Sequence, residues 1–267
     1  MPRPSPVQNY LDSLQAQGRY TFTHRELSAN VPTTSASLKL ALHRLGKKLR
    51  ILRVHNGFYV LVPLEYQASG ILPPTWFTHD LMTHLGCGYY VALLTAARLH
   101  GAGHQASQEF QVMTDAPLRN IEAGGLRIRL LRKTHLAITP IQEKKVPTGF
   151  LRVSTPEATA LDLVRYAHAA GGLDNVATVL SELAELIDGQ RLIEVAEIES
   201  QMGKAPIQRL GYILEFLGEN NLAASLASWL DTRRVHRVPL QVGVPLSRKR
   251  TSTRWKVAIN HELEPDL

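Results

Sequence analysis

Residues 33–62 have the sequence TTSASLKLALHRLGKKLRILRVHNGFYVLV, and this stretch decides the fold of the N-terminal part of the chain. Its first half predicts an amphipathic helix that begins at Thr33 or Thr34, because leucines recur there at spacings of four, three and four residues. The stripe consists of Leu38, Leu42, Leu45 and Leu49. Its second half predicts a β-hairpin, since Asn56-Gly57 separates two apolar runs and both positions of such a tight turn require a positive φ.

Two further helix signals precede this stretch. Apolar residues at helical spacing within Val7–Leu14 predict a first amphipathic helix. Thr23 and Glu26 form the pattern of a capping box, which predicts that a short second helix starts there. Helices followed at once by a tight hairpin have the element order of a winged helix-turn-helix, so we predict this fold for residues 1–65.

Basic residues are concentrated in the same segment. Up to Glu65 the chain has nine Lys and Arg residues against three acidic ones, a charge of +6, while the whole chain carries +7. From Asp231 onward the charge is +4, and the chain between these segments carries −3. A basic segment on a mildly acidic body indicates a polyanionic partner, because phosphate contacts require clustered cations. The alternative is a solvated basic face that keeps the protein soluble.

Side chains that point away from the leucine stripe are the candidates for contact with DNA. Short hydroxyl residues near the start of a helix, with longer cations further along, suit insertion into the major groove of duplex DNA. The hairpin places further polar residues near a minor groove or phosphates. The predicted DNA-binding residues are Ser35, Ser37, Lys39, His43, Arg44, Lys47, Lys48, Arg53, His55 and Asn56. Two alternatives stay open: cations at the helix end that complement its dipole, and a winged helix that contacts only protein.

Beyond a Pro- and Gly-containing linker at 63–74, residues 75–267 predict a mixed α/β domain with a helical C-terminal part, and the overall class is α+β. A further helix opens at Thr155-Pro156, with Thr155 as its N-cap. The other predicted helices are 75–85, 89–99, 176–187, 192–200, 207–217 and 222–230. The predicted strands are 110–113, 126–131, 137–141, 151–153 and 257–260.

Composition and missing motifs argue against several functional classes. The apolar runs are too short for a membrane-spanning helix, the N-terminus lacks a secretion signal, and Cys87 is the only cysteine, so we expect a cytoplasmic protein without disulfides or membrane contact. The chain has no phosphate-binding loop, dinucleotide fingerprint or serine-nucleophile elbow, which predicts no cofactor and no catalysis. Cys87 is interpreted as a small core residue. No metal site is expected from the histidines His79, His84, His100 and His104.

One enzymatic alternative depends on Asp115, Glu143 and Lys145. Asp115 is predicted to end one strand and Glu143-Lys144-Lys145 to follow another, a loose version of the carboxylate and lysine set of metal-dependent nucleases. The competing interpretation is a strand end and a solvated charged loop.

A second basic surface is predicted near the C-terminal end. It is formed by Arg233, Arg234, Arg237, Arg248, Lys249 and Arg250. Such a surface would extend a DNA footprint or bind an acidic protein, and a merely solvated face is the alternative.

Three segments together resemble the antitoxins of AbiE-type abortive-infection systems, the type IV class of toxin–antitoxin systems. They are RVHNGFYVLVP at 53–63, YYVALLTAARLHG at 89–101 and TPEATALDLV at 155–164. Their order spans most of the chain, although the motifs are mainly structural.

The resemblance implies a phage-defence antitoxin that also binds inverted repeats in its own promoter and represses the operon. It further implies a nucleotidyltransferase-like toxin as partner, opposed directly or through its effect. The resemblance assigns the DNA role to the predicted helix and hairpin residues and assigns no residue to toxin neutralisation. The alternatives are a winged-helix regulator that senses a small ligand and, third, the metal-dependent nuclease.

Overall fold

The computed structural model describes residues 5–103, 108–245 and 250–266. Its N-terminal unit contains three helices and a three-stranded antiparallel sheet with the strand order β1-β3-β2. In chain order these elements are α1 (Pro6–Ala16), β1 (Thr21–Thr23), α2 (His24–Asn30), α3 (Ser35–Lys47), β2 (Ile51–His55) and β3 (Phe58–Leu61). This is the element order of a winged helix, with β2 and β3 as the wing. The turn between them differs from the predicted mirror-image type, because Gly57 has a positive φ of 71° and Asn56 does not. The predicted fold class is confirmed.

Side-chain caps start the helices where the sequence places them. The Thr34 hydroxyl accepts a hydrogen bond from the amide of Ser37 at 3.2 Å, and Thr23 accepts one from the amide of Glu26 at 3.0 Å. The return half of the predicted capping box is replaced, because the Glu26 carboxylate accepts a hydrogen bond from Arg19 at 2.7 Å.

Leu49 is a correction to the predicted leucine stripe. Leu38, Leu42 and Leu45 are buried, but α3 ends at Lys47 and Leu49 is 52% exposed with a φ of 53°. The amide of Arg50 donates to the carbonyl of Leu45 at 3.0 Å, as in a Schellman motif. A left-handed residue turns its side chain off the helical stripe, so periodicity fails at this last position.

A six-stranded mixed sheet forms the centre of the larger C-terminal unit, in the order β6-β7-β5-β4-β9-β8. The strands are β4 (Tyr89–Val91), β5 (Phe110–Thr114), β6 (Ile121–Ala123), β7 (Leu126–Arg132), β8 (Ile141–Val146) and β9 (Gly149–Ser154). Strands β4 and β9 are parallel, as are β5 and β7, and the other three pairs are antiparallel.

Helices cover this sheet and build the C-terminal part. They are α4 (Thr78–Leu85), α5 (Leu93–His100), α6 (Pro156–Arg165), α7 (Leu173–Leu183), α8 (Gly189–Glu199), α9 (Ala205–Phe216) and α10 (Asn220–Asp231). A small sheet follows, formed by β10 (Val238–Pro239), β11 (Thr251–Ser252) and β12 (Val257–Ala258). Helix α6 is buried along most of its length, and Thr155 caps it as predicted by accepting the amide of Ala158 at 3.3 Å.

Two predictions in this unit are wrong. The predicted helix 89–99 is strand β4 followed by α5, because a three-residue strand that is buried on both faces has no periodicity to distinguish it from a helix. The predicted strand 137–141 is a 3₁₀ turn over Leu136–Ile138, and β8 begins only at Ile141. None of the described helices is both long and apolar enough to cross a bilayer.

The wing packs on the C-terminal unit. Val54, Phe58 and Val60 share one buried cluster with Leu81 and Met82 of α4. The connecting segment at 63–74 contributes Leu72 to the same cluster, fully buried. The predicted boundary between domains 1–65 and 75–267 stays a prediction, but a continuous apolar core crosses it.

Candidate nucleic-acid interface

Helix α3 and the wing together present the predicted DNA-binding residues, and those on and directly after α3 lie on two sides of the helix. All ten of these residues are exposed. A groove of about 820 Å³ lies between α3 and the wing, lined among others by Lys39, His43, Lys47, Arg53 and Asn56. The structure therefore brings five of the ten predicted residues to one concave surface.

The other side of α3 faces the start of α1. Ser37, Arg44 and Lys48 line a second groove of about 410 Å³ there, together with Ser5, the N-cap of α1, and Gln8 in its first turn. Ser35, at the first position of α3, and His55, on the wing, line neither groove. One helix thus separates two grooves, each with cations on its wall.

The charges on α3 are not neutralised within the described residues. Lys39, Arg44, Lys47 and Lys48 form no ion pair there, and the sequence has no acidic residue between Glu26 and Glu65. Uncompensated cations on one exposed helix generate a local positive potential that attracts a polyanion.

Helix α4 holds the tip of the wing in place. The Nε2 atom of His84 on α4 lies 3.1 Å from the carbonyl oxygen of Asn56, so the ring donates a hydrogen bond to it, and the rings of His84 and Phe58 lie 5.3 Å apart. The Arg53 guanidinium donates to the side-chain oxygen of Asn56 at 2.7 Å. The exposed groups of the wing are therefore presented on a fixed backbone.

The predicted C-terminal basic surface is only partly assembled within the described chain. Arg233 stacks on the ring of Trp229 at 4.1 Å and pairs with Glu197, so it has a local structural role. Arg234, Arg237 and Arg250 are exposed. Arg248 and Lys249 lie outside the described residues.

The residues of the nuclease alternative are not brought together. Asp115 follows β5, whereas Glu143 and Lys145 lie within β8 and not at its end. Strands β4 and β9 separate β5 from β8, so the strands next to Asp115 and around Glu143 lie about 14 Å apart across the sheet at ~4.8 Å per strand. Among the residues that the structure describes, no group of three or more His, Cys, Asp or Glu side chains is placed to hold a metal ion.

Three of the histidines considered as metal ligands, His79, His84 and His100, have hydrogen-bond partners. Cys87 is half-buried, and burial raises the pKa of its thiol. His79 lies 3.1 Å from the hydroxyl of Tyr89, and His100 lies 2.7 Å from the carbonyl of Ser154. His104 lies outside the described residues.

A buried ionic network in the C-terminal unit was not predicted from the sequence. Lys133, directly after β7, is fully buried and lies 2.8 Å from both Asp162 of α6 and Glu199 of α8. Arg165 pairs with the other oxygen of Glu199 at 3.1 Å, and the Tyr90 hydroxyl donates to Asp162 at 2.7 Å. Burial, and next the carboxylate of Asp162, hold the pKa of Tyr90 well above 10.0.

One signal for this network was present in the sequence. Asp162 interrupts the apolar run of TPEATALDLV, where a charged residue in a buried helix requires a buried partner. The sequence did not identify Lys133 as that partner, because the two residues meet only in the folded chain.

The fold and its core define a class: a winged-helix unit packed on a mixed α/β unit. Residues 90–216 match the family model described as AbiEi antitoxin C-terminal domain. The match supports an AbiEi-type antitoxin and a role in a toxin–antitoxin system. The predicted resemblance is thereby confirmed at the level of the family.

A solved structure with a similar fold is the RV2827C protein from Mycobacterium tuberculosis. The TM-score is 0.69 at 15% sequence identity, and the match covers 96% of this chain and 92% of that one. At this identity the likeness concerns the fold alone. No curated protein matches the sequence.

Proposed function

We propose that this protein is an antitoxin that also binds inverted repeats in its own promoter through α3 and the wing, and so represses its operon. The observation that carries the DNA-binding part is the set of unpaired cations on an exposed helix in a segment free of acidic residues. Helix α3 offers its exposed side chains to the major groove of DNA. Arg53 and Asn56 of the wing lie beside the helix, on the other wall of the protein groove.

Electrostatic attraction between the cations and the DNA phosphates accounts for the affinity. The side chains at the start of α3 account for the sequence specificity. Each cation that neutralises a phosphate releases bound counterions, which makes binding depend steeply on salt. Ser35 and Ser37 precede Lys39, Arg44 and Lys47 along the helix, so the short hydroxyl side chains face base edges while the longer cations reach bases or the phosphate backbone. A single unit of this size covers a small site, which favours paired copies on repeated half-sites.

As an antitoxin, the protein counteracts a nucleotidyltransferase-like toxin that is encoded beside its gene. Support comes from the family match over 90–216 and from the resemblance of the sequence to AbiE-type antitoxins. The exposed Arg234, Arg237 and Arg250 are candidate contacts of the C-terminal unit, either for the toxin or for DNA. No catalytic step is proposed.

The DNA-binding proposal is tested with Arg44→Ala/Lys47→Ala and a fragment of the gene's own promoter. We expect the dissociation constant to rise about tenfold or more, and the salt slope to fall by roughly 0.9 for each phosphate that the variant no longer neutralises. The matched control is Arg119→Ala/Lys145→Ala, which removes two exposed cations from the C-terminal unit. Equal salt slopes for the wild type and the α3 variant would refute the assignment of α3.

The antitoxin proposal is tested by growth with the full chain. Co-expression with the adjacent gene is expected to relieve its toxicity, and the Arg44→Ala/Lys47→Ala variant is expected to relieve it too while losing repression of a promoter reporter. If this variant lost both repression and relief of toxicity, the two activities would not depend on separate parts of the protein. A neighbouring gene that is harmless by itself would contradict the toxin partnership.

A further inference from the structure

Leu40 is an apolar side chain on the solvent face of α3. It is 49% exposed, and Ala36, one helical turn earlier on the same face, is exposed as well. The core stripe of Leu38, Leu42 and Leu45 lies on the opposite side. Leu40 therefore contributes little to the core of the N-terminal unit. Its exposed side chain is available to contact a binding partner.

The surroundings of Leu40 are cationic. Lys39, His43, Arg44 and Lys47 are its neighbours on the exposed surface of α3, at one, three, four and seven residues along the helix. The residue lies on the ridge between the two grooves, since Leu40 lines the groove beside α1 and Lys39 lines the groove beside the wing. The surface is a narrow apolar ridge with positive charge on both flanks.

An apolar ridge flanked by cations fits one kind of partner, duplex DNA. The major groove of duplex DNA has phosphates along both edges, and the one apolar group that its floor presents is the C5-methyl of thymine. A second copy of this chain would place like charges against each other, because the cations flank the ridge on both sides. An apolar protein partner would have to desolvate the same cations without compensation.

We propose that Leu40, together with Ala36, contacts thymine methyl groups in the operator and is a specificity-determining residue of the DNA site. The inference rests on the proposed DNA-binding function. It predicts that part of the affinity for the operator comes from thymine methyls and depends on the side chain of Leu40.

The test compares promoter DNA that contains thymine with the same fragment made with uracil, which lacks only the C5-methyl. Wild-type protein is expected to bind the uracil fragment at least about fourfold more weakly, the effect of one buried methyl. Leu40→Ala is expected to bind the thymine fragment more weakly than wild type, and to lose less affinity than wild type when uracil replaces thymine, with Ala36 accounting for what remains of the effect. Anisotropy titrations at one fixed salt concentration measure all four dissociation constants.

Leu186→Ala is the matched control, since Leu186 is 48% exposed and lies in the C-terminal unit. It is expected to retain both the affinity and the uracil effect of the wild type. Equal binding of the two fragments by wild type, or an undiminished uracil effect in Leu40→Ala, overturns the inference while DNA binding stands. Absence of binding to either fragment overturns the proposed DNA-binding function itself, and the inference with it. A dimer that Leu40→Ala dissociates, with an unchanged uracil effect, would assign the ridge to a second copy instead.

Discussion

Lys133 is a buried cation whose two partners come from distant parts of the chain. Its ammonium lies between Asp162 and Glu199, and Arg165 compensates the second carboxylate, so two cations and two anions meet in the interior. A buried set of this kind is costly to desolvate and becomes very unfavourable when one member is removed. We interpret it as the group that positions α6 and α8 under the sheet.

The first prediction concerns this residue. Lys133→Met is expected to lower the free energy of unfolding by about 3–5 kcal/mol, because it leaves Asp162 and Glu199 buried with too little positive charge. Urea denaturation measures the change. Lys145→Met, which removes an exposed lysine, is expected to change it by less than about 0.5 kcal/mol. Equal stabilities of the two variants would show that the network is not needed for the fold.

At the scale of the element, His100 joins the end of α5 to strands β8 and β9. Its Nε2 atom donates to the carbonyl of Ser154 at 2.7 Å, and its Nδ1 atom lies 3.2 Å from the side-chain amide of Gln142. Burial is the main cause that lowers the pKa of His100 below 6.5, and nearby Lys144 lowers it further. The ring is thus neutral in the folded protein.

The second prediction follows from this lowered pKa. The unfolded chain takes up a proton at His100 with a pKa of about 6.5, whereas the folded chain takes it up only at lower pH. The contribution of His100 to stability is therefore fully present above pH 6.5 and decreases as the pH falls below it. Between pH 7.5 and 5.5 the wild type is expected to lose more stability than His100→Gln.

Urea denaturation at the two pH values measures this difference. His168→Gln is the control, because His168 is exposed. It is expected to have the same pH dependence as the wild type. A parallel decrease in wild type and His100→Gln would exclude His100 as the titrating group.

At the scale of the whole molecule, the wing is part of the core of the C-terminal unit. Phe58 is 2% exposed and belongs to the cluster that contains Leu81 and Met82. Thr21 on β1 donates a hydrogen bond to Asp80 of α4 at 2.5 Å, and the ring of Tyr20 lies edge-on to Trp76 at 5.2 Å. These contacts couple the folding of the two units.

The third prediction concerns this coupling. The three tryptophans, Trp76, Trp229 and Trp255, all lie beyond the predicted boundary. Phe58→Ala is nevertheless expected to lower the midpoint of the unfolding transition observed by tryptophan fluorescence, and to destabilise by about 3–5 kcal/mol. Far-ultraviolet circular dichroism is expected to give the same midpoint. A tryptophan transition that Phe58→Ala leaves unchanged would indicate two independent units.

Local signals in the sequence determined the N-terminal unit. The caps at Thr23 and Thr34, the three buried leucines of α3 and the Asn56-Gly57 turn each act within a few residues, so the chain order alone predicts the winged helix. The excess of cations over 1–65 and the exposure of the predicted residues also followed from the sequence, because amphipathic periodicity assigns the outward face of a helix. The same periodicity places Leu40 opposite the leucine stripe, but only polar side chains were predicted to contact DNA, so this exposed apolar residue was passed over.

Only the tertiary structure decided the rest. Strand β4 has no periodicity because it is buried on both faces, and pairing with β5 and β9 makes it a strand. The ionic network joins residues 29 and 66 positions apart in sequence, and the wing is fixed by a histidine 28 residues further along. Contacts of this kind follow from how the elements pack, and no pattern within a single element encodes them.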